Sequence, residues 1–169
     1  MLETLARRRV ALGFVTALVA LLLSRPTWRA WTAGLVVAIV GEAIRVWAAG
    51  HLEKGREVTR SGPYRWTGHP LYVGSSVMAL GVVIASRSAV VAAVVAIYMA
   101  ATLTAAIRTE EAFLRRTFGE TYEQYARSET APMTRAFSME RALRNREYRA
   151  VGGLAGGFGL LALKILLPI

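Results

Sequence analysis

The chain has 169 residues, of which 54% are hydrophobic and 19% charged, and its formal net charge is +10. It contains no cysteine, which excludes disulfides, thiolate nucleophiles and cysteine-ligated metals, and two histidines are too few for a histidine-rich metal site. The charged residues are clustered and leave long apolar runs. This profile is typical of a small multi-span membrane protein and argues against a nucleic-acid-binding domain.

Five apolar runs approach the length of about 17 to 25 residues that a helix needs to cross a bilayer. We predict spans at 10–23, 31–49, 71–85, 89–107 and 150–167. The runs are continuous and lack the alternation of membrane β-strands, so we expect an all-α, multi-pass helical bundle in the membrane. Only Ser86-Arg87-Ser88 separates the third run from the fourth, which predicts a tight antiparallel hairpin.

The basic residues between the predicted spans are distributed unevenly. Sixteen lysines and arginines fall on the side of the N-terminus and only three on the other side. Because positive residues favour cytoplasmic loops, the bias predicts a cytoplasmic N-terminus and an external C-terminus. The composition, rich in arginine and alanine, suggests a bacterial inner membrane.

Two features inside the spans are unusual. Glu42 and Arg45 lie three residues apart on one helix, where they can form a structural ion pair or a polar wall of a substrate cavity. Gly153 and Gly157 of the fifth run form a small-xxx-small pattern. That pattern predicts close helix packing, either within the chain or in a homodimer.

A first motif region, Ser61–Gly74, lies between the second and third runs. Its His69-Pro70 step should start the third span, because proline is tolerated in a first helical turn. His69 would then lie where exposed amides favour anionic groups. The aromatic residues of this region supply flat faces and hydroxyls for a ligand, or form an interfacial aromatic belt: Tyr64, Trp66 and Tyr72.

A second motif region, Arg108–Tyr125, follows the fourth run. We expect the fourth helix to continue into it, to end at Gly119 and to be followed by a short helix. Charge pairs at helical spacing are compatible with a solvated amphipathic helix. The adjacent carboxylates of Glu110 and Glu111 at the membrane edge instead favour a cationic ligand or a buried hydrogen-bonding role.

Taken together, the two regions have a specific order. Gly-Pro-Tyr-(x)4-His-Pro-(x)-Tyr-(x)-Gly precedes a hairpin of spans, and Glu-Glu-(x)2-Leu-(x)3-Phe-Gly-(x)2-Tyr-(x)2-Tyr follows it. This order resembles the isoprenylcysteine carboxyl methyltransferase family, to which phospholipid N-methyltransferases look related. The resemblance implies a methyltransferase-like core over 31–127 in a single membrane domain of residues 1–169. Residues 128–169 would add a C-terminal linker and an extra span.

The resemblance also implies S-adenosylmethionine as the cofactor and names the residues of its site. Glu110, Glu111 and Arg108 would be the catalytic residues, with Arg108 as the nearest candidate for an arginine that holds the substrate. The family usually has arginine immediately before His-Pro, where this chain has Gly68, and Arg65 is a candidate substitute. The cofactor would be bound by Arg56, Glu57, Val58, Thr59, Tyr64, His69, Pro70, Leu71, Tyr72 and Glu110.

The expected activity is methyl transfer to a lipophilic acceptor that enters from the bilayer at the cytoplasmic face. A carboxylate acceptor needs no base, whereas an amine would need deprotonation by a glutamate, and a thiol also remains open. Two alternatives stand beside it. Membrane sterol reductases, which use NADPH, look similar around the His-Pro turn, and Gly68 is compatible with a non-catalytic membrane scaffold. No nucleic acid or metal is expected as a partner.

Overall fold

The computed structural model describes residues 2–131 and 133–167, with side chains from residue 11 onward. Those residues form helices and connecting loops without a strand, which confirms the all-α expectation. A 3₁₀ turn at Gly62–Arg65 precedes the third helix. The helices are α1 (Leu2–Leu23), α2 (Trp28–Ala49), α3 (Pro70–Ser86), α4 (Ala89–Phe118), α5 (Glu120–Ala126), α6 (Met139–Arg144) and α7 (Tyr148–Leu166).

Each of the five predicted spans coincides with a helix. α2, α4 and α7 are long and apolar enough to cross a membrane, and α1 and α3 contribute the shorter apolar stretches Ala11–Leu23 and Pro70–Ser86. The chain is therefore a multi-pass membrane helical bundle. The number of five spans and the cytoplasmic N-terminus remain predictions, and the side chains of Arg7–Arg9, which count toward that orientation, lie outside the described ones.

The helix ends follow the local sequence signals. α3 begins at Pro70, whose missing N–H costs nothing in a first turn. α4 ends at Phe118 because Gly119 adopts a positive φ of 50°, and the short helix α5 starts directly after it. Both boundaries agree with the sequence-based expectation.

The most extensive packing in the bundle joins α2 to α3. Glycines allow the two backbones to touch, because a Cβ added at Gly41 would lie 2.6 Å from the carbonyl oxygen of Gly74. Gly34 and Gly81 form a second close approach of the same kind. These contacts hold α3 directly against α2.

The hairpin of α3 and α4 is tight at its turn and open beyond it. Arg87, with a φ of 49°, makes the connection in a left-handed conformation. Near the turn, Val91 and Val95 of α4 belong to a cluster that includes Ala79 and Val83 of α3. α3 and α4 otherwise contact each other much less than α2 and α3 do, and a cavity lies between them.

The glycine-rich face of α7 does not pack against the described part of the chain. A Cβ added at Gly153 or Gly157 would meet no atom within 4 Å, so the expected packing within the chain is not found. α7 docks on α2 through its other side, where Phe158 is buried and its carbonyl accepts a 2.8 Å hydrogen bond from Trp31. The homodimer alternative remains a prediction.

Candidate active site between α3 and α4

The cavity between α3 and α4 has a volume of about 870 Å³. It is bounded by the first turn of α3, by the loop 52–59 after α2, by residues 98–114 of α4 and by residues 145 and 147 before α7. Small-molecule sites usually measure about 300–1,000 Å³. The volume is therefore sufficient for a cofactor together with part of a second ligand.

Two hydrogen bonds join α3 to α4 at the polar end of the cavity. The hydroxyl of Tyr72 donates to Oε2 of Glu110 over 2.8 Å. Nε2 of His69 lies 3.3 Å from Oε1 of Glu111, and the His69 ring stacks on that of Tyr72 with 5.6 Å between centroids. The structure thus brings the His-Pro corner and the two adjacent glutamates together.

The second ring nitrogen of His69 has a different environment from Nε2. Its Nδ1 is buried, makes no hydrogen bond to the described residues and lies 3.8 Å from Oε2 of Glu110, beyond hydrogen-bonding distance. Buried polar atoms in folded proteins are nearly always hydrogen-bonded. Since His69 also lines the cavity, a polar ligand there would satisfy this atom.

The loop after α2 supplies a second wall. Glu57, Val58 and Thr59 line the cavity, and Glu57 is held by an ion pair of 2.6 Å with Arg135. The hydroxyl of Thr59 accepts a 3.1 Å hydrogen bond from the backbone N–H of Glu53. These contacts give the loop a defined course although it has no helix or strand.

Tyr64 and Tyr125 complete the polar end. The hydroxyl of Tyr125 donates to the carbonyl oxygen of Tyr64 over 2.8 Å, and both residues line the cavity. Burial raises the pKa of Tyr64, with a smaller contribution from the charge of Glu110, and burial raises the pKa of Tyr125 to about 12. Both phenols therefore remain neutral hydrogen-bond donors at physiological pH.

The structure does not bring three of the candidate arginines to the cavity. Arg108 is exposed and lies outside the cavity. It precedes Glu110 by two residues, and two residues correspond to a rotation of roughly 200° around a helix, so the two side chains point in different directions. The Arg56 side chain is 73% exposed, and its Nη1 lies 3.9 Å from Oε2 of Glu53. Arg65 is exposed and donates to the carbonyl of Met133 instead of replacing the missing family arginine.

Arg45 and Glu147 form a charged pair in the cavity wall. The Nε of Arg45 donates to Oε1 of Glu147 over 2.7 Å, while Glu42 lies 3.8 Å away. The sequence offered a polar wall as one interpretation of the Glu42 and Arg45 spacing, and the placement of Arg45 agrees with it. Glu147, 102 residues further along the chain, carried no recognisable signal.

The rest of the lining combines an apolar wall with charged side chains. α4 contributes the apolar residues Met99, Leu103, Ala106, Phe113 and Leu114. Among the described residues, the charged side chains of the lining are Arg45, Lys54, Glu57, Glu110 and Glu147. Arg45 pairs with Glu147, and Arg135, outside the lining, pairs with Glu57. The Glu110 carboxylate therefore remains as the negative charge most available to a ligand, and together with the apolar wall it favours a cationic ligand with an apolar part.

Within the described side chains, no group of three or more histidines, cysteines, aspartates or glutamates is arranged to hold a metal ion.

Comparison with known proteins identifies the same part of the chain. The sequence profile of a family described as phospholipid methyltransferase matches residues 30–121, which run from α2 into α5 and include the His-Pro corner and both glutamates. No solved structure gives a significant match.

Two curated relatives are similar over 96 residues, or 56% of this chain. One, 36% identical, is the nickel-cobalt-cadmium resistance protein NccN of Alcaligenes xylosoxydans xylosoxydans. The other, 38% identical, is the cobalt-zinc-cadmium resistance protein CzcN of Cupriavidus metallidurans. The match covers 43% of each relative, so the chain spans less than half the length of these two proteins in the aligned region.

Proposed function

The chain belongs to the phospholipid methyltransferase family, and on that premise we propose that it is a membrane methyltransferase that uses S-adenosylmethionine. The methyl group would pass to a lipophilic acceptor in the cavity between α3 and α4. The observation that carries the proposal is the convergence of His69 and Tyr72 with Glu111 and Glu110 at one end of that cavity, all within the residues that match the family.

The residues present fit this cofactor. The Nδ1 of His69, which makes no hydrogen bond to the described residues, is available to a polar group, and the Glu110 carboxylate suits a cation. Glu110, Tyr72, Tyr64 and the loop 57–59 would hold the cofactor. When bound, S-adenosylmethionine would supply a methyl group from a positively charged sulfur, and transfer of that group would leave a neutral thioether product.

The chain's own residues would act mainly by orientation. The Tyr72 hydrogen bond fixes the Glu110 carboxylate, and the His69 contact fixes Glu111, so neither needs to reorganise when a ligand binds. Correct alignment of two reactants can contribute about 7–11 kcal/mol to a displacement reaction. Glu110, which unlike Glu111 lines the cavity, could also accept a proton if the acceptor is an amine, whereas a carboxylate acceptor would need no base.

The apolar wall of α4 supports a lipophilic acceptor. Met99, Leu103 and Phe113 lie on a helix that is apolar enough to cross the membrane, so an acyl or isoprenoid chain could enter from the bilayer. The distribution of arginine and lysine favours the cytoplasmic leaflet of a bacterial inner membrane for the reaction. The open glycine face of α7 leaves room for a second copy of the chain.

The scarcity of free cationic groups in the described lining argues against the reductase alternative. A 2′-phosphate of NADPH needs free cationic groups, but Arg45 is already paired with Glu147 and leaves Lys54 as the other cation of the lining. A non-catalytic scaffold, the remaining alternative, would not need the hydrogen bonds at the His-Pro corner.

Titration calorimetry on the detergent-solubilised full chain separates these possibilities. We expect the protein to bind S-adenosylmethionine and not NADPH. The Glu110→Ala and His69→Ala variants should each lose at least about tenfold in affinity. Glu120→Ala, which removes a carboxylate that is 70% exposed at the start of α5, is the matched control and should bind normally. Binding of NADPH, of neither compound, or unchanged binding by both site variants would contradict the proposal.

A further inference from the structure

The segment between α5 and α7 lies outside the region that matches the family, yet it forms part of the cavity wall. Asn145 and Glu147 line the cavity, whereas the family match ends at residue 121. The side-chain amide of Asn145 donates to the carbonyl oxygens of Ala49 and Leu52, each over 2.9 Å. These bonds attach the segment to the end of α2, and they place Glu147 close to that helix.

Glu147 connects this segment to α3 through a single arginine. Its carboxylate is buried and accepts the 2.7 Å hydrogen bond from Nε of Arg45. The Arg45 side chain crosses α3 at Gly74. A Cβ added at Gly74 would lie only 2.6 Å from the Cγ of Arg45, so the crossing depends on this glycine. The Nη1 of Arg45 then donates to the hydroxyl of Ser75 and lies 3.4 Å from the carbonyl of Leu71. The guanidinium of Arg45 thus contacts Glu147 through Nε and the first turns of α3 through Nη1.

Glu42 does not replace Glu147 in this arrangement. Its two carboxylate oxygens are buried without a hydrogen-bond partner among the described residues, and the nearer lies 3.8 Å from Nε of Arg45. Glu42 lines a separate apolar groove between α2 and α7 and is absent from the cavity wall. Loss of the Glu147 charge would therefore deprive the Arg45 guanidinium of its 2.7 Å carboxylate partner.

We infer that Glu147 is a positioning residue for the cofactor site. By holding Arg45 against Leu71 and Ser75, it fixes the first turn of α3, from which His69 and Tyr72 reach the cavity. The inference rests on the proposed function for the identity of the cofactor. By this inference, the functional site includes residues that lie beyond the region matching the family.

The test compares Glu147→Gln with Arg141→Gln. The Nε of Arg141 donates to Glu53 over 2.8 Å, so this bond also fastens the segment to the rest of the chain, but neither residue lines the cavity. In calorimetric titrations of the full chain with S-adenosylmethionine, we expect the dissociation constant to rise at least about tenfold for Glu147→Gln. It should stay within about twofold for Arg141→Gln. Similar dissociation constants for the two variants would overturn the inference.

A second readout does not depend on the cofactor. The first turn of α3 is closed by hydrogen bonds from the N–H groups of Tyr72 and Val73 to the carbonyl of His69. Hydrogen exchange in a peptide covering these residues should be faster in ligand-free Glu147→Gln than in wild type, and unchanged in Arg141→Gln. Unchanged exchange in Glu147→Gln overturns the inference.

The two readouts separate the inference from the function on which it rests. If wild type does not bind S-adenosylmethionine while exchange still responds to Glu147→Gln, the proposed function fails and the coupling to α3 stands. If Glu147→Gln does not yield folded protein, Glu147→Asp, which keeps the charge on a shorter side chain, is judged by the same two criteria.

Discussion

The hydroxyl of Tyr72 donates a 2.8 Å hydrogen bond to the carboxylate of Glu110, 38 residues further along the chain. It joins the first turn of α3 to the second half of α4, at the end of the hairpin that is opposite the turn at Arg87. The contact between His69 and Glu111 lies beside it. α3 and α4 therefore meet both near their connecting turn and at this polar end, and the cavity lies between the two contacts.

Removal of this hydroxyl tests its role. Tyr72→Phe keeps the ring and deletes the donor to Glu110, so we expect roughly tenfold weaker binding of S-adenosylmethionine, the loss typical of a hydrogen bond to a charged group. Tyr148→Phe, which deletes the hydroxyl of a tyrosine that is 53% exposed at the start of α7, should bind as wild type does. Equal affinities of the two variants would show that the Tyr72 hydrogen bond does not shape the site.

The convergence at the polar end could be predicted from the sequence because it depends on topology and local signals. Two helices joined by the short turn at Arg87 must place the start of the first and the end of the second on the same side. His69-Pro70 and Gly119 mark those ends in the sequence, and the structure has both boundaries as expected.

Features set by helix rotation and long-range contacts could not be predicted. Arg108 is close to Glu110 in sequence but points elsewhere because the helix rotates by roughly 200° between them. Glu147 belongs to a stretch without a motif, and only the folded chain places it beside Arg45. The glycines of α7 form a helix-packing pattern, but the pattern does not identify the helix against which they would pack.

A substitution at the contact of α2 and α3 should destabilise the bundle. In Gly41→Ala, the new Cβ would lie 2.6 Å from backbone atoms of both Gly74 and Met78, which cannot move aside as a flexible side chain would. We expect a loss of about 1–3 kcal/mol in stability, as for other overpacked cores, and a lower melting temperature in detergent.

The matched control is Gly159→Ala in α7, where a Cβ meets no atom within 4 Å. Alanine is the better helix former, so this variant should melt at the same temperature as wild type or higher. If Gly41→Ala were equally stable, the close approach of α2 and α3 would be incorrect.

The stability should depend on pH through His51, which lies after the end of α2. Burial lowers the pKa of His51 below its ordinary value, and the positive charges of Arg141, Arg135 and Arg65 lower it further. The unfolded chain takes up a proton at this position below about pH 6.5, whereas folded His51 does so only at a lower pH. The unfolded state therefore binds more protons in this window, and stability falls as the pH falls.

Melting temperatures of wild type and His51→Gln, measured between about pH 8 and pH 5, isolate this effect because the other titrating groups are common to both proteins. Wild type should lose more stability than His51→Gln as the pH drops below about 6.5. Parallel curves would show that His51 does not titrate differently in the folded and unfolded states.

The orientation of the chain can be tested because the sequence contains no cysteine. Ala89 and Thr117 are exposed at opposite ends of α4, and replacing either with cysteine leaves the charge distribution unchanged. In right-side-out vesicles, a membrane-impermeant maleimide should label Ala89→Cys directly and Thr117→Cys only after permeabilisation. The opposite pattern would place the candidate site on the external face.

Methyl transfer itself is the most direct test of the account. Membranes containing wild type, Glu110→Ala or Glu120→Ala are incubated with S-adenosylmethionine labelled in its methyl group, and the label in the extracted lipids is compared with that from membranes lacking the protein. We predict that wild type and Glu120→Ala label the lipid fraction and that Glu110→Ala does not. Label no higher than in the protein-free membranes, or equal label with Glu110→Ala, would contradict the assignment of this cavity as a methyltransferase site.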